Sequence, residues 1–153
     1  MFTTYYPRCV EVTLTTFAGA LADNDIAADF QEVTGFFSKA GECTTIHSMT
    51  LIDEDDQGQE LDILCSRTGG TLGSEDAAVS ISDANAREVQ RVAAIATADY
   101  VDLIGCQIAT KTNLDVIVGG GDSTSLWIGA VVRSGTPTYT ASGLKLRLYV
   151  TRH

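Results

Sequence analysis

Asp53, Asp55 and Asp56 lie close together in the run Ile52-Asp53-Glu54-Asp55-Asp56-Gln57-Gly58. Carboxylates at alternate positions followed by a glycine resemble the opening of a calcium loop, where hard oxygen ligands converge on one ion. That pattern needs an acidic residue at its twelfth position to close the coordination shell. Counted from Asp53, the twelfth position is Leu64, so the template fails. The three aspartates stay as candidates only for a looser calcium or magnesium site. The competing reading is a solvated hairpin tip. Asp and Gly bend the chain, and apolar alternation resumes at Leu61-Asp62-Ile63. Asp23, Asp25 and Asp29 form a second acidic patch with the same explanation.

Other reactive residue types are sparse. Gly119-Gly120-Gly121-Asp122-Ser123-Thr124-Ser125 has the glycines of a phosphate loop, but no Lys follows and no helix is signalled there. Both are needed to cradle and neutralise a phosphate. A nucleophile needs a positioned base, and the only histidines are His47, within a strand pattern, and His153, the last residue. Carboxylates are plentiful, yet no pair is singled out for glycoside chemistry. Cys9, Cys43, Cys65 and Cys106 show neither CxxC nor Cys–His ligand spacing, so they read as free thiols of a reducing compartment, not as a zinc site. The expectation is a non-enzymatic chain with no catalytic residues and no cofactor.

At 153 residues the chain has the length of one domain, with an arm over residues 1–8 and a single domain over 9–153. Hydrophobic residues make up 44% and charged residues 20%, which fits a folded core and not a disordered chain. The net charge of -10 repels phosphate backbones and argues against a broad nucleic-acid surface. No apolar run approaches the roughly 18 residues of a membrane span, and no membrane partner is expected. Phe17-Ala18-Gly19-Ala20 has the look of a leader cleavage site. Arg8, however, is the only early basic residue, and Glu11 and several threonines interrupt the apolar region, so a secretory leader is rejected.

The dominant period is two, which makes the chain all-β. Leu144, Leu146, Leu148 and Val150 alternate with Lys145, Arg147, Tyr149 and Thr151 in a half-buried strand. Over 124–133, Leu126, Ile128, Ala130 and Val132 oppose Ser125, Trp127, Gly129, Val131 and Arg133. Val10, Val12 and Leu14 mark a first strand. Others are expected at about 26–37, 44–53, 59–66, 91–97, 103–110 and 112–118, with a bulge at Gly35 where Phe30, Val33, Phe36 and Phe37 break parity. Eight or nine strands joined by Gly-, Asp- and Ser-rich turns predict an antiparallel β-sandwich or jelly roll. At most one short helix competes, over Ala84–Gln90, capped by Ser82 or Asp83. Residues 67–80 read as a long loop, and loops of that length often make contacts.

Three features suggest interfaces. Trp127 lies opposite the apolar face of its strand and is either core or an interface anchor. Phe2, Tyr5 and Tyr6 give the N-terminal arm aromatic side chains that can dock on a neighbouring subunit. Arg133, Lys145, Arg147 and Arg152 make residues 133–153 basic, without an Asp or Glu among them. That segment can face an acidic partner or pair with the chain's own acidic strands.

Five stretches taken together resemble a group of small structural proteins of tailed bacteriophages. They are Ile52–Ile63, Ile81–Ala86, Asp99–Leu103, Ser123–Leu126 and Thr136–Leu146, and the resemblance extends from about residue 9 to residue 150. The four cysteines and the aromatic N-terminus depart from it. The resemblance implies a jelly-roll or β-sandwich component of the virion, made in the host cytoplasm. Acidity then favours the outer surface of the head over a DNA-facing position. The expected role is capsid decoration or cement, with the major capsid protein and copies of itself, as a homotrimer, for partners. The alternatives are a head–tail connector or tail component, and a glycan-binding β-sandwich module.

Overall fold

A computed structural model describes residues 7–153; Phe2, Tyr5 and Tyr6 lie outside them. The alternating segments form ten strands among these residues, in two antiparallel sheets. The six-stranded sheet is ordered β1 (Pro7–Leu14), β10 (Leu144–Arg152), β3 (Cys43–Asp53), β7 (Gln107–Lys111) and β6 (Tyr100–Asp102). In it, β8 (Val116–Gly119) pairs with the first part of β3 and β7 with the last part. The four-stranded sheet is ordered β2 (Ile26–Val33), β9 (Leu126–Val132), β4 (Leu61–Ser66) and β5 (Val89–Ile95).

Period-two burial explains the layers. Leu144, Leu146, Leu148 and Val150 of β10 point inward, as do Met49 and Leu51 of β3. They meet Ile63 and Cys65 of β4 and Leu126, Ile128, Ala130 and Val132 of β9 in one core. Each fully buried Leu or Ile contributes roughly 1.5–3 kcal/mol, so this shared core is what holds the sheets face to face.

The four-stranded sheet is covered on its other face too. Ile26, Leu72 and Val131 form a second small cluster, flanked by Phe17, Phe30, Leu64, Val79 and Ile81. Leu72 belongs to the long loop, which therefore folds over its own sheet instead of standing free as a contact element. Asp29 fastens it, its Oδ1 accepting from Leu72 N at 2.7 Å and its Oδ2 from Thr71 Oγ1 at 2.6 Å. Gly129 makes room: a Cβ there would stand 2.9 Å from both Ala28 O and Leu72 Cδ1.

Several element boundaries differ from expectation. The domain's first strand starts at Pro7, inside the predicted arm. The parity break in β2 arises from irregular register between Ile26 and Gln31, not at Gly35, which lies beyond the strand. Phe36 and Phe37 sit in the following turn, buried edge to face with centroids 5.2 Å apart. Ser82 does cap a helix, accepting from Asn85 N at 3.2 Å, but α1 spans only Asp83–Ala86. Glu88 and Val89 already follow β4, where Arg67 N donates to Glu88 O, so sheet pairing overrides helix propensity. Of the strand expected at 103–110, residues 103–106 form the tight turn after β6 and only the last part is strand, as β7.

Candidate functional site

The acidic run does not form a hairpin tip. Its flanking strands β3 and β4 belong to different sheets, so residues 54–60 cross between the layers. Asp53 ends β3 on the core face and is completely buried. Its carboxylate organises the crossover: Oδ2 accepts from Gln57 N at 2.9 Å and Gly58 N at 2.8 Å, and Oδ1 from Asp55 N at 3.1 Å. Asp56 and Gly58 turn the chain with positive φ, +56° and +57°. Such turns satisfy buried N–H groups with a side chain where no ladder can.

The next carboxylate reaches another part of the chain. Asp55 Oδ2 accepts from Thr140 N at 2.8 Å, and its Oδ1 from Thr140 Oγ1 at 3.0 Å. Gln57 Oε1 accepts from Thr138 N at 3.0 Å. Tyr100 donates its hydroxyl to Gln59 O at 2.7 Å. Tyr139 is buried beside this group with no partner for its hydroxyl among the described residues. Burial raises both phenols above their ordinary pKa; the Asp53 carboxylate adds to the rise in each case, and Tyr100 contributes to that of Tyr139. Burial also raises Asp53, against the downward pull of its three N–H donors.

The three aspartates point apart. Asp53 turns to its own loop, Asp55 to Thr140, and Asp56 accepts from Gln107 Nε2 at 3.0 Å. Among the described residues no group of three or more His, Cys, Asp or Glu is placed to hold a metal ion. The run is thus a structural junction between the two sheets and the 138–140 segment.

The predicted interface residues are dispersed. Trp127 is half-buried on the outer face of β9, beside Gly69 of the covering loop. Arg133 Nε donates to Asp62 Oδ2 at 2.7 Å and its Nη1 to Asn24 Oδ1 at 2.6 Å. Lys145 pairs with Glu54. Arg147 stands opposite Glu11 in the β1–β10 register. The basic segment thus largely meets the chain's own polar groups.

Sequence reading missed one constellation. His47 Nδ1 lies 2.8 Å from Asp115 Oδ1, and its Nε2 2.8 Å from Thr151 Oγ1. Acid, imidazole and hydroxyl follow the order of a hydrolytic triad. A register shift between Tyr149 and Val150 admits His47 as the extra residue of β3. The side chains of His47 and Asp115 are 47% and 67% exposed, on open sheet surface. Acyl transfer draws its largest stabilisation from oxyanion donors in a water-excluding site. The four main clefts are lined by other residues. The trio acts here as a hydrogen-bonded clasp across β3, β10 and the segment before β8.

Two adjoining clefts, of about 280 and 310 Å³, share Arg67 and Glu88, which pair across them. The triglycine turn borders the second cleft. Two of its glycines answer to packing: a Cβ on Gly121 would lie 2.6 Å from Arg67 O, and one on Gly120 3.0 Å from Glu42 O.

No family model matches the chain, and no curated protein matches it. Among solved structures, a chain in the crystal structure of the infectious bursal disease virus VP2 subviral particle is 14% identical over 95% of this chain and 40% of that one, with a TM-score of 0.17. This chain thus spans less than half the length of that one. A TM-score so low carries no argument about fold or function.

Proposed function

We propose that the chain is a non-enzymatic structural protein of a tailed-phage virion, decorating the outer surface of the head and stabilising contacts between capsomers. One observation carries the reading. Three of the five stretches that resemble phage structural proteins meet at a single junction: Asp55 with Thr140, Gln57 with Thr138, and Tyr100 with Gln59. The likeness therefore falls in part on residues that fix the relation of the two sheets. A two-layer β domain whose polar side chains are spent on its own loops suits a part that must hold shape under load. The major capsid protein is the partner in this reading, with the chain acting as an oligomer, a trimer being the expectation.

Quantitative mass spectrometry of purified virions tests it. Copy number equal to that of the shell protein, or a simple fraction of it, is the expected result. A handful of copies per particle would assign the chain to the connector or tail instead. Absence from virions would overturn the reading.

A further inference from the structure

The β6–β7 hairpin carries three of the five exposed large hydrophobic side chains among the described residues. Leu103 N donates to Cys106 O at 2.9 Å, closing a two-residue turn whose central residues, Ile104 and Gly105, have φ of +62° and +97°. That turn ordinarily takes Asn-Gly, because a β-branched side chain is crowded at positive φ. Ile104 is nonetheless there, and it is 95% exposed. Neither its backbone nor its hydration favours it. Leu103 and Val101 beside it are also more than half exposed. The register sets Val101 opposite Ile108 and Ile108 opposite Ile52, so the apolar surface continues onto the outer face of the sheet. Among the described residues β6 is an edge strand of that sheet.

Charge narrows the partner. Asp102 accepts from Ile104 N at 2.8 Å, and Asp56 from Gln107 Nε2 at the base of the hairpin. Neither carboxylate has a cationic partner among the described residues, whereas neighbouring Asp99 and Glu54 are paired with Lys111 and Lys145. A second copy docked on the same patch would bring like charges together, and an anionic membrane would be repelled. We propose that the hairpin is a docking anchor: Ile104, with Leu103 and Val101, enters an apolar pocket rimmed by Lys or Arg on a partner protein. The identity of that partner as the capsid shell rests on the decoration reading; the chemistry of the pocket does not.

The test uses the full chain and shells of the parent virus that lack it. Wild type and Ile104→Asn are compared by co-sedimentation, between about 0.05 and 0.3 M salt. Ile104→Asn suits the turn and keeps the fold, which a melting curve checks; Leu103→Ser serves as a second probe of the same patch. The expected result is binding by wild type that weakens as salt rises, and a loss of about tenfold or more for Ile104→Asn, as for an interface anchor. If both variants bind within about twofold of wild type, the anchor is wrong and decoration stands. If wild type self-associates and Ile104→Asn abolishes that, the occupant is a second copy and the basic-rimmed partner is overturned. If wild type does not bind the shells, the decoration reading fails and the anchor's assignment fails with it.

Discussion

Asp53→Asn is the sharpest test of the crossover junction, because it keeps the size of the side chain and changes only its acceptors. The wild-type carboxylate takes three backbone N–H donors, two on Oδ2 and one on Oδ1. An asparagine has one acceptor oxygen. Placed toward Gln57 and Gly58, that oxygen keeps two bonds and turns the amide NH₂ against the N–H of Asp55. One hydrogen bond is lost, and two donors face each other in a buried site. Leaving a buried group unsatisfied costs about 1–3 kcal/mol, so a loss near 2 kcal/mol is expected. For a chain of this length that lowers Tm by roughly 4–8 °C. Asp53→Ala, which loses all three bonds, should cost more, about 3–6 kcal/mol. Urea denaturation with a fixed m-value, followed by circular dichroism and by tryptophan fluorescence, reads both. The expected order is wild type, then Asn, then Ala. An Asn variant as stable as wild type would show that the carboxylate does not organise the crossover.

Four further outcomes follow from the same contacts. Asp53 sits above its ordinary pKa of 3.8, so the native chain takes up a proton that the unfolded chain does not. Its contribution to stability therefore rises as pH falls from neutral toward 4 and is lost as pH rises through its folded pKa; wild type should gain on Asp53→Asn over that window, and the opposite slope would show that the N–H donors outweigh burial. Gly121→Ala should lower the urea midpoint by the equivalent of about 1–3 kcal/mol, since its new Cβ meets backbone, not a flexible side chain; an unchanged midpoint would show that the turn can move aside. Burial pushes the Cys65 thiol up to about 12, while Cys9 and Cys43 are exposed. A thiol reagent at mild alkaline pH should modify the exposed pair quickly and Cys65 only on unfolding, and equal rates would refute the burial. Ile104→Asn should stabilise the isolated domain by about 1 kcal/mol through relief of positive φ, read as a higher Tm, and a lower Tm would show that Ile104 packs within the domain.

The strands were legible where one face is dry and the other wet. β10 shows four inward apolar residues in strict alternation, and its burial follows that alternation closely. β9 carried a subtler signal, since Val131 and Gly129 lie on the supposedly polar face. A small and an apolar residue there match the second cover that Leu72 of the long loop supplies, a point the alternation by itself left open. β6 was illegible because three residues cannot display a period. The junction was only half legible. The run announced a turn, but its partner Thr140 lies 85 positions away, and nothing local to either residue announces the other. The same distance hid the clasp, where Asp115 and Thr151 stand 68 and 104 positions from His47. Alternation reports which side of a strand is buried; it does not report which loops will share a hydrogen bond.

The acidity of the chain has a local origin that composition alone conceals. Asp25 accepts from Ala22 N, Asp29 from Leu72 N, Asp99 from Ala96 N and Asp102 from Ile104 N, in addition to the bonds of Asp53 and Asp55. Each places a carboxylate where a turn leaves a backbone donor without a ladder partner. A loop-rich sandwich built this way becomes anionic whatever it binds. Repulsion of phosphate is then a by-product of turn chemistry, and it constrains partners only at ranges within a Debye length, about 8 Å at physiological salt. What a partner meets at contact is the charge that ion pairs leave uncompensated. Where the surface is also apolar, the described carboxylates without a cationic partner are Asp56 and Asp102, at the base of the hairpin that carries Ile104. Neutralising Asp25 by Asn would alter net charge as much as neutralising Asp102, yet only the second changes the rim of the anchor. Binding that responds to both alike would mean that the long-range field selects the partner; binding that responds to Asp102 alone would mean that the hairpin does.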